Sequence, residues 1–283
     1  TIFASIFNFS MGKPSISVII STYNSEAWLE KVLWSYEAQT YKDFEIVIAD
    51  DGSKQPTFDL IEKMEALVHY NIIHVWHEDN GFQKSQILNK AITACNSDYL
   101  LMSDGDCMAR ADFIEVHIRN RENGYFLSGG YFMLPMSISE VITKEDILSQ
   151  SCFNLKWLKS KGLKSSFKNN KLTASGFTEK MLNAVTPTNA SWNGHNASGW
   201  KKDIIAINGF DERMQYGGQD RELGERLFNL GIKSKQIRYS AICLHLDHPR
   251  GYKNQESINK NLAIRATTKK EKVTKTPFGI EST

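Results

Sequence analysis

The first hundred residues alternate short, almost purely apolar runs with segments whose apolar residues recur at helical spacing. The apolar runs are residues 16–20, 44–49, 72–76 and 99–103. Strands that lack polar alternation are buried on both faces, as in parallel sheets covered by helices on both sides. We therefore predict an α/β fold with a mostly parallel, twisted sheet and helices on both faces.

Composition excludes several classes of protein. With 34 basic and 32 acidic residues the net charge is +2, too close to neutral for a dedicated nucleic-acid-binding protein. The four cysteines are far apart and form no CxxC pair, which fits neither a disulfide framework nor a zinc finger and favours a reducing compartment. No apolar run is long enough to cross a membrane. We expect a cytoplasmic protein.

Polar, oxygen-rich clusters follow three of the four apolar runs. They are Ser21-Thr22-Tyr23-Asn24, Asp50-Asp51-Gly52-Ser53 and Asp104-Gly105-Asp106. The carboxyl ends of parallel strands meet at one edge of the sheet, where such folds bind ligands. The clusters therefore predict a ligand site at that edge.

The pair Asp104 and Asp106 is the most specific of these signals. Two carboxylates separated by one small residue can turn toward one hard cation, and a divalent ion can bridge them to a diphosphate. The alternative is an ordinary polar turn, because Asp-Gly is common in turns.

The other two clusters are weaker signals. Asp51 offers a carboxylate to a base or ribose, and Tyr23 offers an aromatic face to a base, flanked by Thr22 and Asn24. The alternatives are a helix N-cap at Asp51 and a capped helix start at Asn24. No G-x-G-x-x-G follows the first strand, which argues against a dinucleotide-binding fold.

In order and spacing, the three clusters resemble the donor site of family 2 glycosyltransferases, whose fold is called GT-A. Gly81-Phe82-Gln83-Lys84 and Asn89-Lys90-Ala91 are similar to that family's helix before the D-x-D strand. The resemblance covers most of residues 15–110. It implies a nucleotide-sugar donor, usually a UDP-sugar, held with Mn²⁺ or Mg²⁺.

The resemblance also implies a role for each donor-side residue. Tyr23 would stack on the base, Asp51 would bond its edge, and Asp104 would lie near the ribose. Asp106 would ligate the metal. Lys84 would reach a phosphate, or else be a solvated helix lysine.

The later half carries a second pattern, from Gly194-His195-Asn196 through Trp200 to Tyr216-Gly217-Gly218-Gln219-Asp220. It is similar to the C-terminal segment of galactosyltransferase-type enzymes, including relatives of the bacterial chondroitin polymerase. The resemblance implies that Asp220 is the general base. It places four residues on the acceptor side: Asn196, Trp200, Gly218 and Gln219.

Two points qualify the role of Asp220. Gln219 stands where that family usually has Glu, so the acceptor and the sugar are open. A helix N-terminus lowers a carboxylate pKa, so burial or substrate contact must offset it for Asp220 to act as a base. The alternative is a helix cap near Arg221 and Arg226.

Histidines end the last strand candidate. Relatives supply one here as a metal ligand, and imidazole with carboxylate suits Mn²⁺. We predict His245 as that ligand, with His248 as second choice. The alternative is a surface histidine.

Residues 150–190 form a basic segment that we expect to be mobile. No acidic residue lies between Asp146 and Glu179, whereas six lysines do. Three interpretations stay open: a solvated loop, a lid over the donor diphosphate, or a contact with an anionic membrane surface.

We therefore predict an inverting, metal-dependent glycosyltransferase that moves a hexose or N-acetylhexosamine from a UDP-sugar to a saccharide or lipid-linked acceptor. A role in bacterial surface polysaccharide or lipopolysaccharide synthesis would place it at the inner face of the membrane. The alternatives are a non-catalytic carbohydrate-binding subunit and a sugar nucleotidyltransferase.

The predicted catalytic domain spans residues 13–255. Its donor half is 13–110 and its acceptor half 190–255, and segments 1–12 and 256–283 are tails. We expect Met11 to be the natural start.

Overall fold

The computed structural model describes residues 12–249 and 254–282. The predicted start at Met11 and the residues before it lie outside the described residues.

Ten strands are found in the described residues. They are β1 (Ile16–Thr22), β2 (Phe44–Asp50), β3 (Asn71–Trp76), β4 (Tyr99–Asp104), β5 (Cys107–Ala109), β6 (Tyr125–Ser128), β7 (Gly130–Met133), β8 (Ala197–Trp200), β9 (Lys233–Gln236) and β10 (Ile242–His245). The four predicted runs are β1 to β4, so these predictions are confirmed.

Twelve α-helices lie between and after the strands of the described residues. They are α1 (Glu26–Glu37), α2 (Gln55–Glu65), α3 (Lys84–Ala94), α4 (Phe113–Asn120), α5 (Met136–Val141), α6 (Lys144–Leu148), α7 (Leu155–Ser160), α8 (Asn170–Thr173), α9 (Gly176–Val185), α10 (Lys201–Ala206), α11 (Gln219–Asn229) and α12 (Gln255–Lys270). Short 3₁₀ turns cover Ser151–Phe153, Phe167–Asn169 and Ile280–Ser282.

The main sheet has seven strands in the order β3-β2-β1-β4-β8-β6-β9. Strands β1 to β4 pair in parallel, and β8 pairs antiparallel with both β4 and β6. Along β1, Val18 and Ile20 pack into one buried cluster and Ile19 into a second. Both faces of the sheet are therefore covered, as predicted.

A small three-stranded sheet in the order β5-β10-β7 stands beside the main sheet. Strand β10 pairs antiparallel with β5, so that His245 lies opposite Cys107, and parallel with β7. This register brings the histidines of the second half next to the Asp104–Asp106 turn.

Asn89 of α3 joins the two halves of the chain. Its side-chain oxygen accepts from the Phe210 amide at 2.7 Å, and its side-chain nitrogen donates to the Phe210 carbonyl at 2.9 Å. The fully buried Arg226 of α11 pairs with Glu222 and donates to the carbonyls of Ile207 and Gly209. These bonds fix α11 against the donor half.

The predicted tail at 256–283 is instead a packed part of the fold. Asn261 of α12 is fully buried, and Thr268 donates to Glu222 at 2.8 Å. Farther on, Glu281 donates its amide to the Asn208 side chain at 2.9 Å. The lysine-rich composition of this segment belongs to its outer face and concealed these buried contacts.

The basic segment 150–190 forms short helices rather than one open loop, including α7, α8 and α9. All four cysteines are buried and unpaired, so no disulfide forms. Among the described residues, no helix combines the length and apolar character needed to cross a bilayer.

Candidate active site

A cleft of about 1820 Å³ opens at the carboxyl ends of β1, β2 and β4. Most of the predicted site residues line it: Thr22, Tyr23, Asn24, Asp51, Lys84, Asp104, Asp106, Gly218, Gln219, Asp220, His245 and His248. The structure thus brings together residues from both halves of the chain.

The Asp104-Gly105-Asp106 turn lies directly against the end of β1. A Cβ atom on Gly105 would lie 3.0 Å from the Ser21 carbonyl oxygen and 3.3 Å from Thr22 Oγ1, so glycine allows this close approach. The Gly105 amide donates to that Ser21 carbonyl at 2.8 Å. The two aspartates are therefore held at the floor of the cleft.

Asp104 is kept ionised by its neighbours. Lys84 Nζ donates to Asp104 Oδ1 at 2.7 Å, and Ser21 Oγ donates to the same oxygen at 2.8 Å. Burial alone would raise the pKa of Asp104, but the charge and hydrogen bond of Lys84, together with His195 and the Ser21 hydrogen bond, hold that pKa well below its usual range. Burial would lower the Lys84 pKa, and the charges of Asp104 and Asp220 raise it instead.

Asp106, His245 and His248 form one cluster, in which one ligand atom of each residue lies within 4.8 Å of the others. His248 Nε2 lies 3.0 Å from Asp106 Oδ2, and His245 Nε2 lies 3.7 Å from Asp106 Oδ1. The two imidazole rings are stacked, with centroids 5.6 Å apart. Both histidine choices therefore meet at the predicted metal ligand.

The ring tautomers make this cluster suitable for a cation. His245 Nδ1 lies 2.8 Å from the Leu246 carbonyl and His248 Nδ1 lies 2.9 Å from the Pro249 carbonyl. A carbonyl only accepts, so Nδ1 of each ring donates to it, and in the neutral ring Nε2 then has a lone pair that can bind a cation. A backbone carbonyl placed in this way commonly orients a metal-ligating histidine. The residues present therefore fit a divalent ion with nitrogen and oxygen ligands.

On the opposite side of the floor, Asp51 is bonded within the protein. His77 Nε2 lies 2.8 Å from Asp51 Oδ1, and the Gln83 amide donates to Asp51 Oδ2 at 3.0 Å. Burial raises the Asp51 pKa, while the hydrogen bond from His77 opposes that rise. The carboxylate lines the cleft in a fixed orientation.

The first cluster presents an open aromatic face. Tyr23 is half exposed, and its hydroxyl donates to Asp79 at 2.9 Å. Asn24 has a left-handed backbone (φ 44°) and its side-chain oxygen accepts from the Lys54 amide. Thr22 Oγ1 is buried and has no hydrogen-bond partner among the described residues.

Asp220 lies in the first turn of α11 and faces the cleft. Burial raises the pKa of Asp220 to about 6; the Lys84 charge opposes the rise and the Asp104 charge adds to it. This is the offset to the helix field that a general base requires. Asp220 Oδ1 is buried and has no hydrogen-bond partner among the described residues.

Glycines and one asparagine shape the surroundings of Asp220. A Cβ atom on Gly194 would lie 2.9 Å from Asp220 Oδ1, so this residue leaves room for the carboxylate. Gly217 and Gly218 have positive φ angles of 104° and 90° and turn the chain into α11. Asn261 Nδ2 donates to the carbonyls of residues 215–217, which holds this loop against α12.

The predicted acceptor-side residues do not all reach the cleft. Gln219 lines it, with its side-chain oxygen accepting from the Gly217 amide at 3.0 Å. Asn196 is fully buried behind the cleft, bonded to His117 and to the carbonyls of Gly130 and Ala241.

Trp200 also lies away from the lining. Its indole nitrogen donates to the Glu122 carbonyl at 2.9 Å, and its ring packs edge-on against Tyr99. Asn196 directly precedes β8 and Trp200 is its last residue, and β8 lies inside the main sheet. Their contacts therefore hold the sheet together.

Two cleft residues, His195 and Tyr131, and the Asp51 partner His77 were not predicted from the sequence. His77 follows β3 directly, so the strand-end rule that selected Asp51 would also have found it. His195 lies next to Asn196, and burial lowers the pKa of His195 to about 4 although Asp104 raises it. The Tyr131 ring contacts the rings of His195 and His245, with centroids 4.8 and 5.2 Å away. No sequence signal marks Tyr131.

The basic segment contributes three lysines to the cleft: Lys164, Lys168 and Lys171. Arg238, between β9 and β10, lines the same part. This placement is compatible with the lid interpretation, and mobility of the segment stays a prediction.

Comparison with known proteins identifies relatives of the whole chain and of its first half. Residues 17–133 match the family model described as glycosyl transferase family 2. The uncharacterized glycosyltransferase YfnE of Bacillus subtilis (strain 168) is 26% identical over 273 residues, covering 87% of this chain and 68% of that protein. A chondroitin synthase of Escherichia coli is 24% identical, covering 90% of this chain and 38% of that protein. The chain thus spans little more than a third of the second relative.

Solved structures share the fold. TarS 1-349 of S. aureus in complex with UDP-GlcNAc superposes with a TM-score of 0.59 at 14% identity, covering 91% of this chain and 69% of that one. The mannosyltransferase PcManGT from Pyrobaculum calidifontis, in complex with GDP-Man and Mn²⁺, gives a TM-score of 0.55 at 14% identity, covering 90% and 70%.

The C-terminal galactosyltransferase-type resemblance lies beyond the matched family model and stays a prediction. The family model covers the strands whose ends carry Thr22, Asp51 and Asp106, and the fold is that of solved glycosyltransferases. Residues 17–133 of this chain therefore match glycosyl transferase family 2.

Proposed function

We propose that this chain is an inverting, metal-dependent glycosyltransferase that moves a hexose or N-acetylhexosamine from a UDP-sugar to a hydroxyl of a saccharide acceptor. The observation that carries the proposal is the pairing, in one cleft, of a divalent-ion cluster with Asp220. Asp220 is a carboxylate with a raised pKa and a buried oxygen that lacks a partner among the described residues.

In this mechanism Asp220 accepts the proton of the acceptor hydroxyl as that oxygen attacks the anomeric carbon. The bond from the anomeric carbon to the diphosphate breaks at the same time, and the electron pair leaves with UDP. One displacement inverts the anomeric configuration, and no covalent enzyme intermediate forms. A general base with a pKa near the working pH suits this task.

The donor-side residues prepare the site. Tyr23 stacks on the uracil, Thr22, Asn24 and Asp51 line the base and ribose pocket, and Lys84 keeps Asp104 ionised. Asp106, His245 and His248 would hold Mn²⁺ or Mg²⁺. Such an ion supplies positive charge that stabilises a departing diphosphate.

Relatives support the donor and the class of product. TarS binds UDP-GlcNAc, PcManGT binds GDP-Man with Mn²⁺, and the E. coli relative is a chondroitin synthase. We propose a UDP-sugar donor and a role in bacterial surface polysaccharide synthesis on a saccharide or lipid-linked acceptor.

A screen of UDP-sugars tests the proposal. We expect Mn²⁺-dependent release of UDP from at least one donor, measured with and without an oligosaccharide acceptor, and loss of this release in Asp106→Ala. Gly12→Ala, at an exposed glycine with no atom within 4 Å of an added Cβ, is the matched control. Metal-independent release, or full activity of Asp106→Ala, would contradict the metal site.

Binding and turnover are separated by calorimetry. If UDP and Mn²⁺ bind to the wild-type protein but no UDP-sugar is hydrolysed or used for transfer, the protein is a non-catalytic nucleotide-sugar-binding subunit instead. Release of pyrophosphate from UTP and a sugar 1-phosphate, without release of UDP from any UDP-sugar, would identify a sugar nucleotidyltransferase.

A further inference from the structure

The two sides of the cleft differ in charge. Carboxylates line the side built by the strand ends, including Asp51, Asp104 and Asp106. Another part of the lining is basic and consists of Lys164, Lys168, Lys171 and Arg238. A set of cations that face one cavity is a feature that the transfer mechanism does not use.

Lys171 is held in place but not neutralised. Its Nζ donates to the Tyr131 carbonyl at 2.8 Å and lies 5.9 Å from the centre of the Tyr131 ring. Burial lowers the pKa of Lys171, and the positive charges of Arg238 and Lys168 lower it further. Like charges thus converge here, which is unfavourable unless an anion joins them.

Arg238 has an unused donor. Its Nε is buried and has no hydrogen-bond partner among the described residues. The side chain packs on Gly130, where an added Cβ would lie 2.8 Å from Arg238 Cγ. A buried N–H that has given up water without gaining a partner is costly, and a guanidinium is suited to carboxylate or phosphate oxygens.

Contacts through Tyr131 place this pair beside the metal cluster. Lys171 contacts Tyr131, and the other contacts of the Tyr131 ring are the rings of His195 and His245. The strand-end side has its own cation, Lys84, bonded to Asp104. The Lys171–Arg238 pair therefore borders the metal cluster on the side that the basic segment covers.

We propose that Arg238 and Lys171, supported by Lys168, form a subsite for an anionic oxygen of the acceptor, either a uronate carboxylate or a phosphate. The inference rests on the proposed transfer to a saccharide and names the chemical class of that saccharide. An acidic residue of the growing chain binds here and positions the attacking hydroxyl toward Asp220.

Binding of matched probes tests this subsite, and the natural acceptor need not be identified for the test. The probes are short oligosaccharides made in three forms that end in glucuronic acid, 6-phosphoglucose or glucose. Calorimetry on the protein saturated with UDP and Mn²⁺ gives their dissociation constants. We expect at least one acidic or phosphorylated form to bind about tenfold more tightly than its neutral counterpart.

Substitutions then test whether Arg238 and Lys171 cause the preference for acidic probes. In Arg238→Gln and Lys171→Gln we expect the acidic and neutral forms to bind equally well. Lys233→Gln removes the same charge from an exposed position on β9 outside the cleft and should keep the preference. Thermal melting checks the fold of each variant, and Lys171→Gln carries the test if Arg238→Gln is unfolded.

Three results would overturn the subsite. One is equal binding of acidic and neutral forms by the wild-type protein, and another is a preference that survives both substitutions. The third is weaker binding of UDP with Mn²⁺ by Arg238→Gln in the absence of acceptor, which would assign the cations to the donor diphosphate. Failure of the wild-type protein to bind UDP at all would instead contradict the proposed function. In that case, the binding of the acidic and neutral probes measured without UDP would still test the subsite.

Discussion

The two walls of the cleft are built in different ways. The donor wall, made of residues 21–24, Asp51, Lys84, Asp104 and Asp106, has its charged side chains paired within the protein, as Asp104 with Lys84 and Asp51 with His77. In the acceptor wall, made of Tyr131, Lys171, Gly194, Asp220 and Arg238, two charged side chains, Asp220 and Arg238, have buried atoms without described partners, whereas in the donor wall only the uncharged Thr22 hydroxyl does.

This difference separates binding from turnover. A paired wall is already arranged before a ligand arrives, so it loses little freedom on binding. Unpaired atoms on the other wall gain a partner only when the second substrate is present. We therefore expect substitutions in the donor wall to change donor affinity and those around Asp220 to change kcat.

The largest expected effect is that of Asp220→Asn. Removal of the general base should lower kcat by about 10²- to 10⁴-fold, because proton transfer by a positioned group contributes that much. The dissociation constant of UDP with Mn²⁺, measured by calorimetry, should stay unchanged. A variant that keeps kcat would remove Asp220 from the mechanism and with it the contrast between the walls.

Asp220→Asn also serves as the control for the pH dependence of transfer. Only ionised Asp220 accepts a proton, and burial raises its pKa to about 6, with the Lys84 charge opposing the rise and Asp104 adding to it. Transfer by the wild-type enzyme should therefore fall as pH decreases through about 6. The residual rate of Asp220→Asn should lack this acidic limb.

A smaller effect is expected at the donor wall. Tyr23→Ala should weaken UDP binding by about 10- to 100-fold, since stacking of a base on an aromatic ring contributes about 1–3 kcal/mol. We expect kcat, measured at a saturating donor concentration, to stay unchanged. Tyr23→Phe keeps the ring and loses only the hydroxyl bonded to Asp79, so it is the matched control. Equal losses in both variants would show that the hydroxyl, not the ring, matters.

The smallest expected effect is that of Gly194→Ala. Its Cβ would lie 2.9 Å from Asp220 Oδ1, so the carboxylate must move. A displaced catalytic group should lower kcat by about tenfold with unchanged UDP affinity. Gly12→Ala, where an added Cβ meets no atom within 4 Å, should behave as wild type. If Gly194→Ala changes the affinity for UDP but not kcat, Gly194 does not belong to the acceptor wall.

The donor wall was predictable because it depends on consecutive strands. Buried runs that alternate with helices give a parallel sheet, and parallel strands end at one edge, so Thr22, Asp51 and Asp106 had to meet there.

The acceptor wall was less predictable because its contacts join distant parts of the chain. Tyr131 reaches His245 through the pairing of β7 with β10, and no local pattern specifies that pairing. His195 and Asn196 are neighbours in sequence, yet His195 lines the cleft and Asn196 is buried behind it. A motif can locate such a turn without showing which of its side chains faces the ligand.

The bonds from Asn261 to the carbonyls of residues 215–217 have a consequence for biosynthesis. Protein synthesis runs from the N-terminus, and domains generally fold as units. The nascent chain exposes Asp104 and Asp106 before His245, and His245 before Asn261. We expect the loop that precedes Asp220 to be held in place only after α12 leaves the ribosome, so a nascent chain without α12 would lack the arrangement that positions Asp220 for sugar transfer.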